Sequence, residues 1–188
     1  MDPEPERSAG VIEARSQPAT DPRGGAWERF EQLYRSSRDD VYAYVATLLR
    51  DPAAAEDVTA LAFERAYRRR GTFDRRRGVE RAWLFGIARN AALDELRRRT
   101  RVATLVVDPE DVAAPSVADG DEVALRRTAV RSAIAALNGR EREIVALKFH
   151  GGLTNGEIGR VLGISETAAG TLLYRTMEKL RRACDANG

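Results

Sequence analysis

The chain has 188 residues, 43% hydrophobic and 32% charged, with 31 basic against 29 acidic side chains and a formal net charge of +2. That size suits one or two small domains and excludes a large multi-domain enzyme. No apolar run approaches the roughly 18 residues of a membrane span, and the N-terminal MDPEPERSAG lacks the basic-then-apolar order of a signal peptide. A single cysteine, Cys184, cannot form an internal disulfide, which fits a reducing cytoplasm. With one histidine, His150, it argues against a His/Cys zinc site or a His-based triad, and no cofactor is expected.

Residues 1–26 carry Pro3, Pro5, Pro18 and Pro22, little apolar content, and five acids against three bases. Such a segment cannot bury enough surface to offset its ordering entropy and is expected to be a disordered tail. From Trp27 a helical period begins. Trp27, Phe30, Leu33, Tyr34, Val41, Tyr44, Val45 and Leu48 recur at steps of three and four and fall on one face. Asp51-Pro52 closes that helix and opens the next, since Asp caps well and Pro is tolerated at the first helical position. The second helix runs through AAAEDVTALAFERAYRRR, and Gly71 to Asp74 is a turn that Arg75-Arg76-Arg77-Gly78 extends. A third helix has Trp83, Leu84, Ile87, Ala88, Ala91 and Leu96 as its apolar side and ends in Arg97-Arg98-Arg99. Residues 27–100 therefore read as one compact helical domain, with 16 bases against 12 acids.

Residues 101–125 change character, with two prolines, no sustained period, and six acids against one base, and read as an acidic linker. A second helical domain follows at 126–185, with a short tail at 186–188. Val130, Ile134 and Leu137 form a stripe that Asn138-Gly139 stops. Arg140 to His150 carries Ile144, Val145, Leu147 and Phe149, and Gly151-Gly152 ends it. No alternating run is long enough for a strand. The expected fold class is all-α, two small helical bundles joined by a flexible acidic linker. The near-neutral total averages two basic domains and an anionic strap.

The segment LTNGEIGRVLGISETAAGTLLYRTMEKLRR, residues 153–182, carries the most specific signal. Thr154 and Glu157 have the spacing of a capping box. Gly163 falls where a tight turn between two helices needs a residue without a Cβ. Ile158, Leu162, Ile164, Ala169 and Leu172 are apolar where the helix pair must pack, Gly159 is small where the helices approach, and Ser165 caps the second helix. In a helix-turn-helix that second helix presents its N-terminal residues to a major groove. Its outward residues are Glu166, Thr167, Gly170, Thr171, Tyr174 and Arg175, with Lys179 and Arg181 further along for phosphates. Glu166 can accept from a cytosine amine, and Thr171 can reach a phosphate or a thymine methyl. The segment FDRRRGVERAWLFGIARNAALDELRRR, residues 73–99, interleaves cations with aromatics and Asn90, a composition suited to phosphates and unpaired bases. Trp83 falls in the apolar stripe and is expected mainly in the core.

The ordered set FEQLYRSSRDDVYAYV, AEDVTALAFERAYR, FDRRRGVERAWLFGIARNAALDELRR and LNGREREIVALKFHGGLTNGEIGRVLGISETAAGTLLYRTMEKLR resembles the extracytoplasmic-function (ECF) class of bacterial sigma factors. The resemblance covers about residues 27–184. It implies a first domain that melts promoters and a second that binds the −35 element. It implies that Glu56, Asp57, Val58, Leu61, Ala62, Glu64 and Arg65 grip the clamp of RNA polymerase. Arg75, Arg76, Arg77, Arg81, Asn90, Arg97 and Arg98 would capture the unpaired −10 strand, and Ser165 joins the −35 set. The linker would thread toward the active-site cleft, where a polyanion can occupy a basic path. The implied partners are core polymerase (clamp, flap and active-site cleft), promoter DNA as duplex and single strand, and an anti-sigma protein, with no membrane insertion. The chain departs from the common pattern at Ala60-Leu61, at Glu80 and at Gly170-Thr171-Leu172.

Two other readings compete. A stand-alone helix-turn-helix regulator would explain 126–185 and leave 27–100 without a purpose. A carboxylate-dependent nuclease has little support, because Asp39-Asp40 and Asp94-Glu95 are sequence neighbours that do not face a common point on a helix.

Overall fold

The computed structural model describes residues 24–74, 79–105 and 130–185. Residues 1–23 of the stretch read as a disordered tail, residues 75–78 and most of the linker lie outside the described residues, while Gly24 to Ala26, read as tail, form the first turn of a helix. The described chain is all-α, as expected. Helix α1, Gly24–Leu49, buries Leu33, Val41, Tyr44, Val45 and Leu49 on one face. Arg50 follows in the left-handed region at φ 53. Asp51 then caps α2, Pro52–Arg69: its side chain accepts from the Ala54 amide at 3.1 Å, and Pro52 opens the first turn. Helix α2 buries Ala55, Val58, Thr59, Ala62, Phe63 and Ala66 and ends in a 3-10 turn, Arg70–Thr72.

Helix α3, Glu80–Leu105, extends five residues into the stretch read as linker. Its buried Ala82, Leu84, Phe85, Ile87, Ala88, Ala91 and Ala92 take up more than one face. The reason is its position. It packs on α1 and α2 and, on another side, on a helix of the second domain.

In the second domain residues 130–135 are helical. Asn138 is not mainly a stop: it caps α4, Gly139–Phe149, in a reciprocal capping box with Glu141. Helices α5, Asn155–Leu162, and α6, Glu166–Asp185, complete it. Some stripe residues of the sequence are exposed instead of buried: Trp27 is 53% exposed, Val130 45% and Phe149 63%. Val130, Phe149, Met177 and Leu180 line an apolar groove of about 600 Å³ across 130–135, α4 and α6.

The two bundles do not stand apart. Helix α1 packs on α4 and α3 on α5, and most buried apolar residues of both domains form one continuous cluster. Two polar networks cross the seam. Glu143 on α4 accepts from Tyr44 at 3.2 Å and from Arg89 at 2.7 Å, with Tyr44 wholly buried. Arg81 donates from Nε to the Gly151 carbonyl at 2.6 Å and from Nη2 to both the His150 carbonyl at 2.9 Å and Asp40 at 2.6 Å, while Nη1 donates to Ser37 at 3.1 Å. Burial, and then the adjacent Glu143 carboxylate, push the Tyr44 phenol well above its ordinary pKa, so it stays a donor.

Candidate nucleic-acid interface

The helix-turn-helix is built from local chemistry. Thr154 accepts from the Glu157 amide at 3.3 Å, and Glu157 accepts from the Thr154 amide at 2.7 Å, so two N-terminal amides of α5 are satisfied. Helix α5 ends at Gly163, whose φ of 70° is the left-handed conformation glycine adopts without penalty. The amides of Gly163 and Ile164 both donate to the Gly159 carbonyl. Ser165 then accepts from the Ala168 amide at 3.1 Å and starts α6. The helices cross closely at Gly159, where a Cβ would lie 2.8 Å from the Ile164 carbonyl oxygen. Ile158 and Ala169 are fully buried between them.

Along α6, Ser165, Thr167, Thr171, Tyr174 and Arg175 are exposed, Tyr174 most of all at 68%. Glu166 is also exposed, but its carboxylate leans back over α5, 3.2 Å from the point where a Cβ on Gly156 would lie. Gly170 is half-buried beneath the Asn155 side chain. Lys179, expected at a phosphate, pairs with Glu141 at 2.8 Å and staples α6 to the first turn of α4. That contact, together with the Asn138 amide, holds the Glu141 carboxyl below its usual range.

The first domain sorts its expected DNA contacts onto different sides. Arg75, Arg76 and Arg77 lie outside the described residues. Trp83, Asn90 and Arg97 follow at seven-residue steps and share one stripe of α3, with Asn90 and Arg97 exposed. Arg81 is on the opposite side, and its guanidinium is taken up by the second domain, so in this arrangement it cannot face a DNA strand. Trp83 is half-buried and packs against Phe73 with ring centres 5.4 Å apart and the planes tilted by 47°. Beside it Arg69, Phe73, Asn90 and Arg160 line a cleft of about 470 Å³ that spans both domains. Sequence reasoning missed Arg69, Phe73 and Arg160 as a group, because only tertiary packing brings them together.

Arg98 is clasped by Glu95 through two bonds of 2.8 Å, and Arg99 joins the same carboxylate at 2.8 Å while also reaching Asp51 at 2.7 Å. Those hydrogen bonds, from Arg98 first and Arg99 second, lower the Glu95 carboxyl from an ordinary 4.5 to about 2. A carboxyl depressed in the folded state adds stability above its unfolded pKa and loses it as pH falls through the folded value. Glu95→Gln is therefore expected to be less stable than wild type from pH 7 down to about 4.5, with the gap closing toward pH 2. Thermal unfolding across that pH series checks this; a constant gap would rule it out.

The expected clamp-binding set also divides. Glu56, Asp57 and Glu64 are exposed, and Leu61 is half-buried. Val58 and Ala62 are closed in the core at 5% and 0% exposure, because they form the inward stripe of α2, so they support that surface without presenting themselves on it. Glu64 pairs with Arg68 at 2.7 Å, and Arg65 ties α2 to α3 through Asp94 at 3.0 Å. Among the described residues no group of three or more His, Cys, Asp or Glu side chains could hold a metal ion, and no helix is long and apolar enough to cross a membrane.

Comparison with known proteins defines the class first. Residues 33–102 match the family described as Sigma-70 region 2, and residues 127–180 match Sigma-70, region 4. The chain is 36% identical over 162 residues to RNA polymerase sigma factor CarQ of Myxococcus xanthus, covering 85% of this chain and 91% of that one. It is 36% identical over 163 residues to ECF RNA polymerase sigma factor BldN of Streptomyces coelicolor, covering 85% of this chain but only 62% of BldN. The fold is similar to that of sigma factor RpoE from Bartonella quintana, solved with the anti-sigma factor NepR. The TM-score is 0.64 at 19% identity, over 84% of this chain and 98% of that one. The chain belongs to the ECF family of RNA polymerase sigma factors. Such factors are non-enzymatic transcription initiation factors.

Proposed function

We propose that this chain joins core RNA polymerase in the cytoplasm, reads the −35 element as duplex with α6, and captures the unpaired −10 strand with α3. The observation that carries the reading is two separate surfaces suited to DNA on one chain. The first is the exposed Thr167, Thr171, Tyr174 and Arg175 face of a capped helix-turn-helix. The second is the Trp83, Asn90 and Arg97 stripe beside a cleft that offers arginines and an aromatic pair. Cations track phosphates and aromatic rings stack on unpaired bases. A stand-alone operator-binding protein has no use for the second surface. Glu56, Asp57 and Glu64 on α2 are the exposed groups through which the clamp is engaged, and the acidic composition of 101–125 suits a basic path in the active-site cleft. An anti-sigma protein is a further partner, by analogy with RpoE and NepR.

Run-off transcription with sigma-free core polymerase, this chain and a matched promoter tests the proposal. Transcript from the complete set and none without the chain is expected; stable duplex binding with no transcript on any candidate promoter would favour the operator-binding reading. Reversing charge at Arg97 and Arg98 sharpens the test. Taking one cation away from a single-strand phosphate should lower the salt slope of open-complex formation by about 0.7. Arg97, paired with Asp94 only at 3.5 Å, should account for more of the effect than Arg98, which Glu95 already clasps. An unchanged slope in both single variants would remove these residues from the −10 surface.

A further inference from the structure

We propose that Asn155, on the first helix of the helix-turn-helix, is a base-reading residue of the −35 interface, its amide filling the place that Gly170 leaves bare. The inference rests on α6 being the −35 recognition helix. Gly170 adjoins the exposed Thr167 and Thr171 and contributes no side chain there. A Cβ at that point would lie 3.2 Å from the Asn155 Nδ2 and 3.9 Å from its Cγ, so the amide rests on the glycine backbone. Asn155 is the first residue of α5, yet it does not cap that helix; Thr154 and Glu157 do so reciprocally. Its amide makes no hydrogen bond among the described residues, leaving a donor and an acceptor at the rim of the recognition face. Gly156 has a matching effect one residue on. By lacking a side chain it gives the Glu166 carboxylate a seat, which draws Glu166 back toward α5. The N-terminal halves of α5 and α6 thus interleave into one surface, with Asn155 over Gly170 where a side chain of residue 170 would otherwise stand.

An asparagine amide matches the adenine edge in a major groove, donating to N7 and accepting from N6, and discriminates against other bases. The preference installed here is therefore for adenine at one position of the −35 element. The test uses core polymerase with the full chain on promoter duplexes randomised across the upstream element, the bound fraction being sequenced. Asn155→Ala should lose adenine preference at one position by about tenfold while the rest hold. Gly170→Ala, whose Cβ crowds the amide, should lose the same preference, and the double variant should lose no more. Asn155→Asp, left with acceptors only, should shift that position toward cytosine. An unchanged preference in Asn155→Ala, with Thr171→Ala altering it, would overturn the role of Asn155 alone. No change in Asn155→Ala, Thr171→Ala or Arg175→Ala would overturn the recognition role of α6 itself.

Discussion

Replacing Glu143 by alanine is expected to loosen the docking of the two domains by about 3 kcal/mol, within the range for removing one partner of a buried, hydrogen-bonded ion pair. Glu143 is 7% exposed, and it is the shared acceptor for Tyr44 and Arg89. The two orphaned groups fare differently. The Arg89 side chain is 23% exposed and can turn toward water, whereas Tyr44 is fully buried and its hydroxyl has nowhere to turn. An unsatisfied buried donor carries a penalty of about 1–3 kcal/mol of its own. Glu143→Gln keeps an acceptor for Tyr44 and loses only the charge, so it should fall between wild type and alanine. Single-molecule energy transfer between one label on α2 and one on α6, in a Cys184→Ser background, reads the outcome. A larger separated population is expected in the order wild type, glutamine, alanine. Because the pair is buried, moderate salt should change the wild-type distribution little. Identical distance distributions in all three proteins would mean that this network contributes nothing to docking. The functional weight of the result lies with Arg81. Docked, its guanidinium is spent on the Gly151 and His150 carbonyls; separated, it keeps Asp40 and Ser37 but loses both carbonyls, which frees it for the DNA contact that the family resemblance implies.

What could be read without coordinates follows the range of the interactions. The turn of the helix-turn-helix is legible because every determinant is local: Thr154 with Glu157, the left-handed Gly163, the close approach at Gly159, and Ser165 as cap. Asp51-Pro52 is legible for the same reason. Asn138 reads as a stop because asparagine serves at both helix ends, although Glu141 three residues later already gives the capping box. Helical periodicity finds an apolar stripe but not its partner. Val58 and Ala62 point into their own bundle, while Phe149, in an equally apolar run, opens onto a groove. Helix α3 has apolar residues on more than one side because it serves two bundles, a fact its sequence carries only as a blurred period. The seven-residue step from Trp83 to Asn90 to Arg97 would have separated that stripe from Arg81. The pairings of Glu143 with Tyr44 and Arg89 span 99 and 54 residues, and nothing local marks them.

The second large effect is expected at Gly159. A Cβ there would stand 2.8 Å from the Ile164 carbonyl oxygen and 3.3 Å from the Glu166 amide nitrogen, both backbone atoms that cannot swing aside as a side-chain tip would. Two terms oppose each other. Removing glycine from a helix interior stabilises by about 1 kcal/mol when alanine replaces it, while overpacking at a rigid contact costs about 1–3 kcal/mol. With alanine the Cβ is itself the clashing atom, so overpacking already outweighs the helix gain, by about 1 kcal/mol. With valine the helix gain is smaller and two further methyl carbons enter the same gap, so overpacking wins by about 2 kcal/mol. For a chain of this length unfolding as one unit that corresponds to a fall in melting temperature of about 4–8 °C. Moving α6 away from α5 also parts Gly170 from Asn155 and shifts the exposed Thr167 and Thr171 with it, so −35 binding should fall further than stability alone predicts. Gly163→Asn is the control: its φ of 70° is one that asparagine visits, and no atom stands within 4 Å of its Cβ position. Thermal unfolding and upstream-element binding of Gly159→Ala, Gly159→Val and Gly163→Asn together decide the matter. A valine variant as stable as wild type would show that the close crossing of α5 and α6 does not constrain the recognition helix.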